Sequence, residues 1–190
     1  ADRELNRSMT KEKEAFMSHK RLFYKRFSDF VQRDFIYVPE VSYMDFSIFL
    51  EAHDTFIVKP DRGIMGQGIE KLHAKEVKDR KAFFDKCIGG RLLLEQVIEQ
   101  HEALERLSTC VNSVRINAAR DRKGNIRLIG GCLKCGAKGM AADNFHSGGI
   151  AYPLELSTGA VTGPGRGNTE IKDYDYHPGS SVYMPGFTVP

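Results

Sequence analysis

No run of eighteen apolar residues occurs in the chain, so no segment is long enough to cross a bilayer as a helix. Neither sign of charge dominates: 28 basic against 25 acidic residues leave +3, too mild to indicate a nucleic-acid or membrane partner. Only four cysteines are present, Cys87, Cys110, Cys132 and Cys135, and 190 residues at 41% hydrophobic can bury a core without disulfide staples. The start Ala1-Asp2-Arg3-Glu4 is polar and is no signal peptide, and together these features point to a reducing, cytoplasmic setting. The lack of an initiator methionine predicts a trimmed or partial chain. With neither internal repeats nor low-complexity stretches, the chain reads as one domain or two small lobes.

Familiar signatures are missing too. No Gly-X-Ser-X-Gly supports a hydrolase triad. No Gly-Lys-Ser/Thr makes a Walker loop, and the spacing G-x-x-G-x-G with no helix after it is not the dinucleotide fingerprint. What is present is Phe56-Ile57-Val58-Lys59-Pro60, then Asp61-Arg62-Gly63-Ile64-Met65-Gly66-Gln67-Gly68, then Ile69-Glu70-Lys71-Leu72. That order predicts a strand, a glycine-rich loop and a returning strand. Backbone N–H groups at glycines approach phosphate oxygens closely, and Lys59 would set a point charge beneath them. The same segment also fits an ordinary hairpin with a loose tip.

Around this hairpin the chain has a legible order. Thr10 to about Val31 is helical in pattern, with Thr10 as N-cap, Glu12 and Glu14 in the first turn, and Phe16, Phe23, Phe27 and Phe30 on one face. The cluster Lys20, Arg21, Lys25, Arg26 reads as a solvated helix face. Short helices are expected at Met44 to Ala52 and at Lys75 to Cys87, the latter closed by Gly89-Gly90. A strand over Arg91 to Ile98 leads into a helix over Glu99 to Ser108. Val111 to Arg120 and Ile126 to Lys134 pair across the turn Asp121 to Asn125, and Ile150 to Leu156 is a further strand. Beyond Ser157 the chain is rich in Gly, Pro and Tyr and shows little periodicity.

Two other constellations read as structural. Cys132-Leu133-Lys134-Cys135 has metal or redox spacing, but no second pair stands at zinc-finger distance, and a strand end does not suit a redox pair. His146 reads as fixing a loop through a hydrogen bond, with acid–base work as the alternative, and His177 before Pro178 reads as a turn residue.

Five motifs then stand in register. They are Val58-Lys59-Pro60, the glycine loop, Leu94-Glu95-Gln96-Val97-Ile98, Val111-Asn112-Ser113-Val114-Arg115, and Asp143-Asn144-Phe145-His146-Ser147-Gly148-Gly149. Over residues 35 to 190 the set resembles the ATP-grasp enzymes, and most of all the sugar-transfer-associated branch linked to cell-surface polysaccharide biosynthesis. The resemblance implies an α+β fold of two lobes with antiparallel sheets holding the nucleotide between them. The implied divisions are a helical segment over 1–34, a small lobe over 35–98 and an incomplete large lobe over 99–190.

The resemblance also implies roles. Lys59 would meet α- and β-phosphate oxygens under a lid carrying Gly63, Gly66 and Gly68. Glu95, Gln96, Val97 and Ile98 would form a hinge whose backbone pairs with the adenine edge. Asn112 or Ser113 would reach the ribose or phosphates. Arg115, with Lys134 where relatives carry an arginine, would stabilise the transferred phosphoryl group and the acyl phosphate, because guanidinium donors suit spread negative charge. Asn144 matches the family's Asn before the paired glycines, and Gly148-Gly149 would admit close backbone approach.

The implied activity is ATP-dependent ligation of a carboxylate to an amine, on sugar-linked substrates. A non-catalytic nucleotide-binding module and a scaffold of a polysaccharide-synthesis complex are the alternatives. One departure stands out. Relatives hold two Mg²⁺ through late carboxylates and a Glu-X-Asn pair, whereas the only Glu-X-Asn here is Glu4-Leu5-Asn6. The expectation is that the metal ligands lie beyond Pro190, with loss of the metal strand as the alternative, and that these 190 residues are inactive without them.

Overall fold

The computed structural model describes residues 10–63, 67–137, 143–168, 170 and 172–190, and every element named here belongs to these residues. They form two compact units, Ala1–Ile98 and Glu99–Pro190. Among the described residues no helix is long and apolar enough to cross a membrane.

The first unit opens with α1 (Lys11–Ser18), capped by Thr10, whose hydroxyl accepts the Lys13 N–H. The expected single helix breaks at His19, which is extended, and α2 (Lys20–Arg26) starts anew. The reason is tertiary: Asp61 draws in the break. Its carbonyl accepts the Lys20 N–H at 3.0 Å and its carboxylate accepts the Arg21 N–H at 2.9 Å. The basic cluster is therefore not simply a solvated face. Lys20 donates to the carbonyls of Pro60 and Gly63, while Arg21 and Lys25 both pair with Glu40.

A four-stranded antiparallel sheet comes next, in the order β1 (Phe35–Tyr37), β4 (Leu92–Gln96), β2 (Thr55–Pro60), β3 (Glu70–His73). Period-two alternation gives it two different faces. Ile36, Phe56, Val58, Leu72 and Leu94 pack against Phe46, Phe49 and Leu50 of α3 (Tyr43–Ala52) and Phe84 and Cys87 of α4 (Arg80–Gly89). The opposite face carries Tyr37, Leu93, Lys59 and Glu95, and Tyr24 of α2 packs on it.

Helix α3 begins with a capping box between Ser42 and Asp45. Helix α4 starts at Arg80 rather than near Lys75, because the Asp79 carboxylate caps the Ala82 N–H and Ala74–Glu76 forms only a 3₁₀ turn. The left-handed backbone at its end falls on Arg91 (φ 51°), with Gly90 still right-handed.

The second unit is an antiparallel meander of five strands: β5 (Ser113–Arg120), β6 (Ile126–Cys135), β7 (Ile150–Leu154), β8 (Gly165–Gly167) and β9 (Asp173–Tyr174). The β5–β6 turn is closed by the Asp121 carboxylate, which accepts the N–H groups of Lys123 and Asn125, each at 2.9 Å. Leu133, Cys135, Ile150, Tyr152 and Leu154 form one face of the core with Leu107, Val161 and Met184.

The expected helix over 99–108 contracts to α5 (Glu102–Glu105). Asn112 is the cause, since its amide donates to the Leu104 carbonyl at 2.8 Å and its N–H donates to the Gln100 side chain at 2.5 Å. The segment past Ser157, read as unpatterned, supplies β8 and β9; within it the Gly186 and Val189 N–H groups donate to the Val161 and Gly159 carbonyls, and the Val161 N–H donates to the Phe187 carbonyl.

Candidate functional site

Strand β2 delivers Lys59 to the root of the glycine loop. Gly63 (φ 143°) and Gly68 (φ 68°) take backbone that side chains rarely adopt, while Gly66 lies outside the described residues. Lys59 is 7% exposed and Glu95 6%. The Lys59 ammonium donates to Glu95 Oε1 at 2.5 Å and to the Tyr24 hydroxyl at 2.7 Å. Tyr24 in turn donates to Glu95 Oε2 at 2.9 Å. Arg33 completes the group, donating from Nε to Glu95 Oε2 at 3.0 Å and from Nη2 to the Tyr24 hydroxyl at 2.6 Å. Both cations also stand over the Tyr24 ring, Lys59 at 5.0 Å and Arg33 at 4.9 Å from its centre.

Burial lowers the affinity of Lys59 for its proton, and Glu95 opposes that shift only in part. Burial raises the Tyr24 phenol, and the Glu95 charge raises it further. At Asp61, burial pushes the carboxyl up, yet the hydrogen bonds from His19 and the Arg21 N–H outweigh it and hold the group below the usual range. Beside these residues lies a cavity of about 700 Å³ lined by Glu14, Met17, Lys20, Tyr24, Arg62 and Gly63; Lys59 is not on its wall.

The hinge residues divide. The Gln96 N–H donates to the Asp34 carbonyl at 2.9 Å, and its side chain accepts the Asp34 N–H at 3.2 Å. Val97 and Ile98 lie past the end of β4, and Ile98 is 43% exposed. Among the described residues its N–H has no partner.

In the second unit, β5 and β6 pair Ser113 with Lys134 and Arg115 with Cys132, which puts all four on one face of the sheet. Register through β7 and β8 adds Ala151, Pro153 and Arg166 to that face. Lys134 forms an ion pair with Asp143 at 3.1 Å, and the Ser113 hydroxyl donates to the same carboxylate. Arg115 is exposed and, among the described residues, meets no partner. Arg166, which sequence reasoning missed, pairs with Asp173 at 3.0 Å.

Asn144 accepts the His146 N–H at 3.1 Å and opens the turn Phe145–Ser147. A Cβ at Gly149 would stand 2.5 Å from the Asp143 carbonyl oxygen, so the paired glycines are required by the loop's own folding. Asn112 is buried, its amide oxygen accepting from Ser108 and from the Gly136 N–H, and the structure gives it work inside the fold. His177 is likewise a buried anchor, bonded to the Gly136 carbonyl and Ser180.

Cys132 and Cys135 stand three apart on β6 and so face opposite sides of the sheet; burial pushes the Cys135 thiol up to about 12. Among the described residues no three His, Cys, Asp or Glu side chains are grouped to hold a metal ion.

Comparison with known proteins gives three findings. The family described as sugar-transfer-associated ATP-grasp matches residues 36–190. The solved structure of the D-cycloserine synthetase DcsG is similar in fold, with a TM-score of 0.51 at 12% identity, covering 76% of this chain and 48% of that one. The chain thus spans about half the length of that synthetase. No curated protein matches the sequence.

Proposed function

The chain belongs to the sugar-transfer-associated ATP-grasp family, and we propose that it forms the nucleotide-handling part of an ATP-dependent carboxylate–amine ligase. The single observation that carries the reading is the family match over residues 36–190, a range that includes Lys59, the glycine loop, Arg115 and Asn144. Residues 35–98 act as the small lobe and 99–190 as part of the large lobe.

In the first unit, Lys59 and the loop at Gly63 and Gly68 receive ATP phosphates. The Ile98 N–H, without a partner among the described residues, offers a donor to the adenine edge, with backbone around Glu95, Gln96 and Val97 supplying the acceptor. In the second unit, Arg115 and Lys134 are the cations for the phosphoryl group, with Asn144 beside the paired glycines. A carboxylate oxygen of the substrate attacks the γ-phosphorus, the bond to the β-phosphate oxygen breaks, and ADP leaves. The amine then attacks the acyl carbon, loses a proton and displaces phosphate. Arg115 has the donor geometry for charge spread over the phosphoryl oxygens, and its lack of a partner among the described residues leaves it available. Glycan modification in polysaccharide synthesis, in the cytoplasm, is the biological setting that the family suggests. No step is assigned to Mg²⁺.

Calorimetric titration and phosphate release test the reading. ATP should bind better than GTP, whose edge reverses the donor and acceptor order, and Lys59→Met should weaken ATP by about 2 kcal/mol. Arg115→Ala should lower phosphate release while leaving ATP affinity within a few-fold. Equal binding of ATP and GTP would remove the hinge from the site. ATP binding with no phosphate release in a chain spanning the full synthetase length would leave a nucleotide-binding module.

A further inference from the structure

We propose that residues 19–33 form a removable latch over Lys59, so that nucleotide phosphates reach its ammonium only after Tyr24 and Arg33 withdraw. The inference rests on the nucleotide-binding reading and adds its control.

Three observations carry it. First, Lys59 is buried, at 7% exposed. Its ammonium is held by Glu95 and Tyr24, and the large cavity beside it is lined by Tyr24 and Lys20 instead. A lysine that is to meet phosphate needs at least one N–H on an accessible surface. Second, the covering residues precede residue 36, where the family match begins.

Third, the attachment is polar and built to reverse. One end grips the root of the glycine loop: His19 on Asp61 at 2.5 Å, and Lys20 on the carbonyls of Pro60 and Gly63. The middle is tied to Glu40 by Arg21 and Lys25. The far end is the Tyr24–Arg33 pair on Glu95. Beneath it Tyr24, Tyr37 and Leu93 are buried, with Phe23, Val31 and Phe35 only partly buried against them.

The chemistry of the plug suits exchange for a phosphate. The Tyr24 hydroxyl has one donor and two acceptor positions, and all three are used, by Glu95, Lys59 and Arg33. The cluster sets two cations, Lys59 and Arg33, against the single carboxylate of Glu95. A phosphate oxygen replacing Tyr24 at Lys59 would supply the missing negative charge. Lys59 would exchange a neutral acceptor for an ionic one, which is the stronger bond.

The test uses acetylation of Lys59 by an amine-reactive ester, read by peptide mass spectrometry, in parallel with calorimetric ATP titration. The 190-residue chain is compared with Tyr24→Phe, which keeps the ring and loses the hydroxyl, and Arg33→Gln. Glu40→Gln is the third variant, because it loosens the latch without touching any partner of Lys59. Thermal unfolding checks that each variant is folded. Lys59 should be nearly unreactive in the wild type and label about tenfold faster in all three variants, the factor equivalent to one lost charge-assisted hydrogen bond. ATP should bind the variants more tightly and suppress the labelling. Unchanged labelling in the three variants, or ready labelling of the wild type, overturns the latch. Weaker ATP binding by Tyr24→Phe and Glu40→Gln also overturns it, since the segment would then be aiding the site. Faster labelling with no ATP binding keeps the cover and removes the nucleotide reading.

Discussion

Replacing Glu95 by Gln changes one oxygen and one charge, and its neighbours determine the cost. The carboxylate is 6% exposed and, among the described residues, is the only acid in contact with both Lys59 and Arg33. Its two oxygens accept three donors: the Lys59 ammonium, the Tyr24 hydroxyl and Arg33 Nε. The amide keeps one accepting oxygen and turns an N–H₂ toward donors. A buried ammonium is left without its counter-charge, and breaking one side of a buried pair costs about 3–5 kcal/mol. Because Gln retains part of the hydrogen bonding, we expect about 3 kcal/mol in Glu95→Gln. That corresponds to a melting-temperature drop of roughly 12–24 °C for a unit of this size.

Urea unfolding followed by far-UV circular dichroism measures it. Two controls sharpen the result. In Lys59→Met/Glu95→Leu both charges are gone, Arg33 can turn to solvent, and stability should recover toward wild type. In Glu95→Gln the deficit should shrink as pH rises toward about 10, the ordinary range of a lysine. Burial already lowers the Lys59 pKa, so the folded state releases its proton before the unfolded chain does, and stability rises with pH in that window. A Glu95→Gln protein within about 0.5 kcal/mol of wild type, or a double variant that loses more than the single, would refute the reasoning.

Two further predictions concern the second unit. Burial holds the His177 imidazole below its ordinary pKa of 6.5, with the Gly136 bond opposing in part, so the unfolded chain takes up a proton that the folded one refuses. Stability should fall as pH drops below 6.5, and the fall between about pH 7 and pH 5 should be smaller in His177→Gln, read from urea midpoints. Gly149→Ala should cost about 2 kcal/mol in thermal unfolding, because its Cβ would meet the Asp143 carbonyl at 2.5 Å and the loop backbone must shift.

Much of the fold was legible because its signals are local. The apolar, β-branched run Phe56 to Val58, the alternation in Val111 to Arg120, and the Asp-x-x-Gly-Asn turn carry their own geometry. The errors sit where a distant residue competes for a backbone group. Helix 10–31 breaks because Asp61, some forty residues on, takes the N–H groups of Lys20 and Arg21. The helix expected at 99–108 is cut short because Asn112 claims the Leu104 carbonyl. Neither competition leaves a trace in periodicity.

The candidate site divides along the same line. Lys59, the glycines and Arg115 announce themselves by type and neighbours, since a cation next to a flexible loop has chemistry that the sequence displays. Tyr24, Arg33 and Asp143 do not. Tyr24 is one aromatic on a helix rich in them, and Arg33 one charge in a polar stretch. What gives each its role is the sheet face it reaches, set by register: Leu93 opposite Lys59, Glu95 opposite Ile57, Lys134 opposite Ser113. Glu95 shows the point most directly. As part of Leu-Glu-Gln-Val-Ile it reads as a backbone hinge residue whose side chain is incidental. In the sheet its side chain is the counter-charge that allows Lys59 to be buried at all, since an unpaired ammonium at that depth would neutralise instead. The residue that would bind nucleotide and the residue that keeps it folded are thus the two ends of one ion pair, and a phosphate at Lys59 would take the N–H now given to Tyr24 while Glu95 keeps its own.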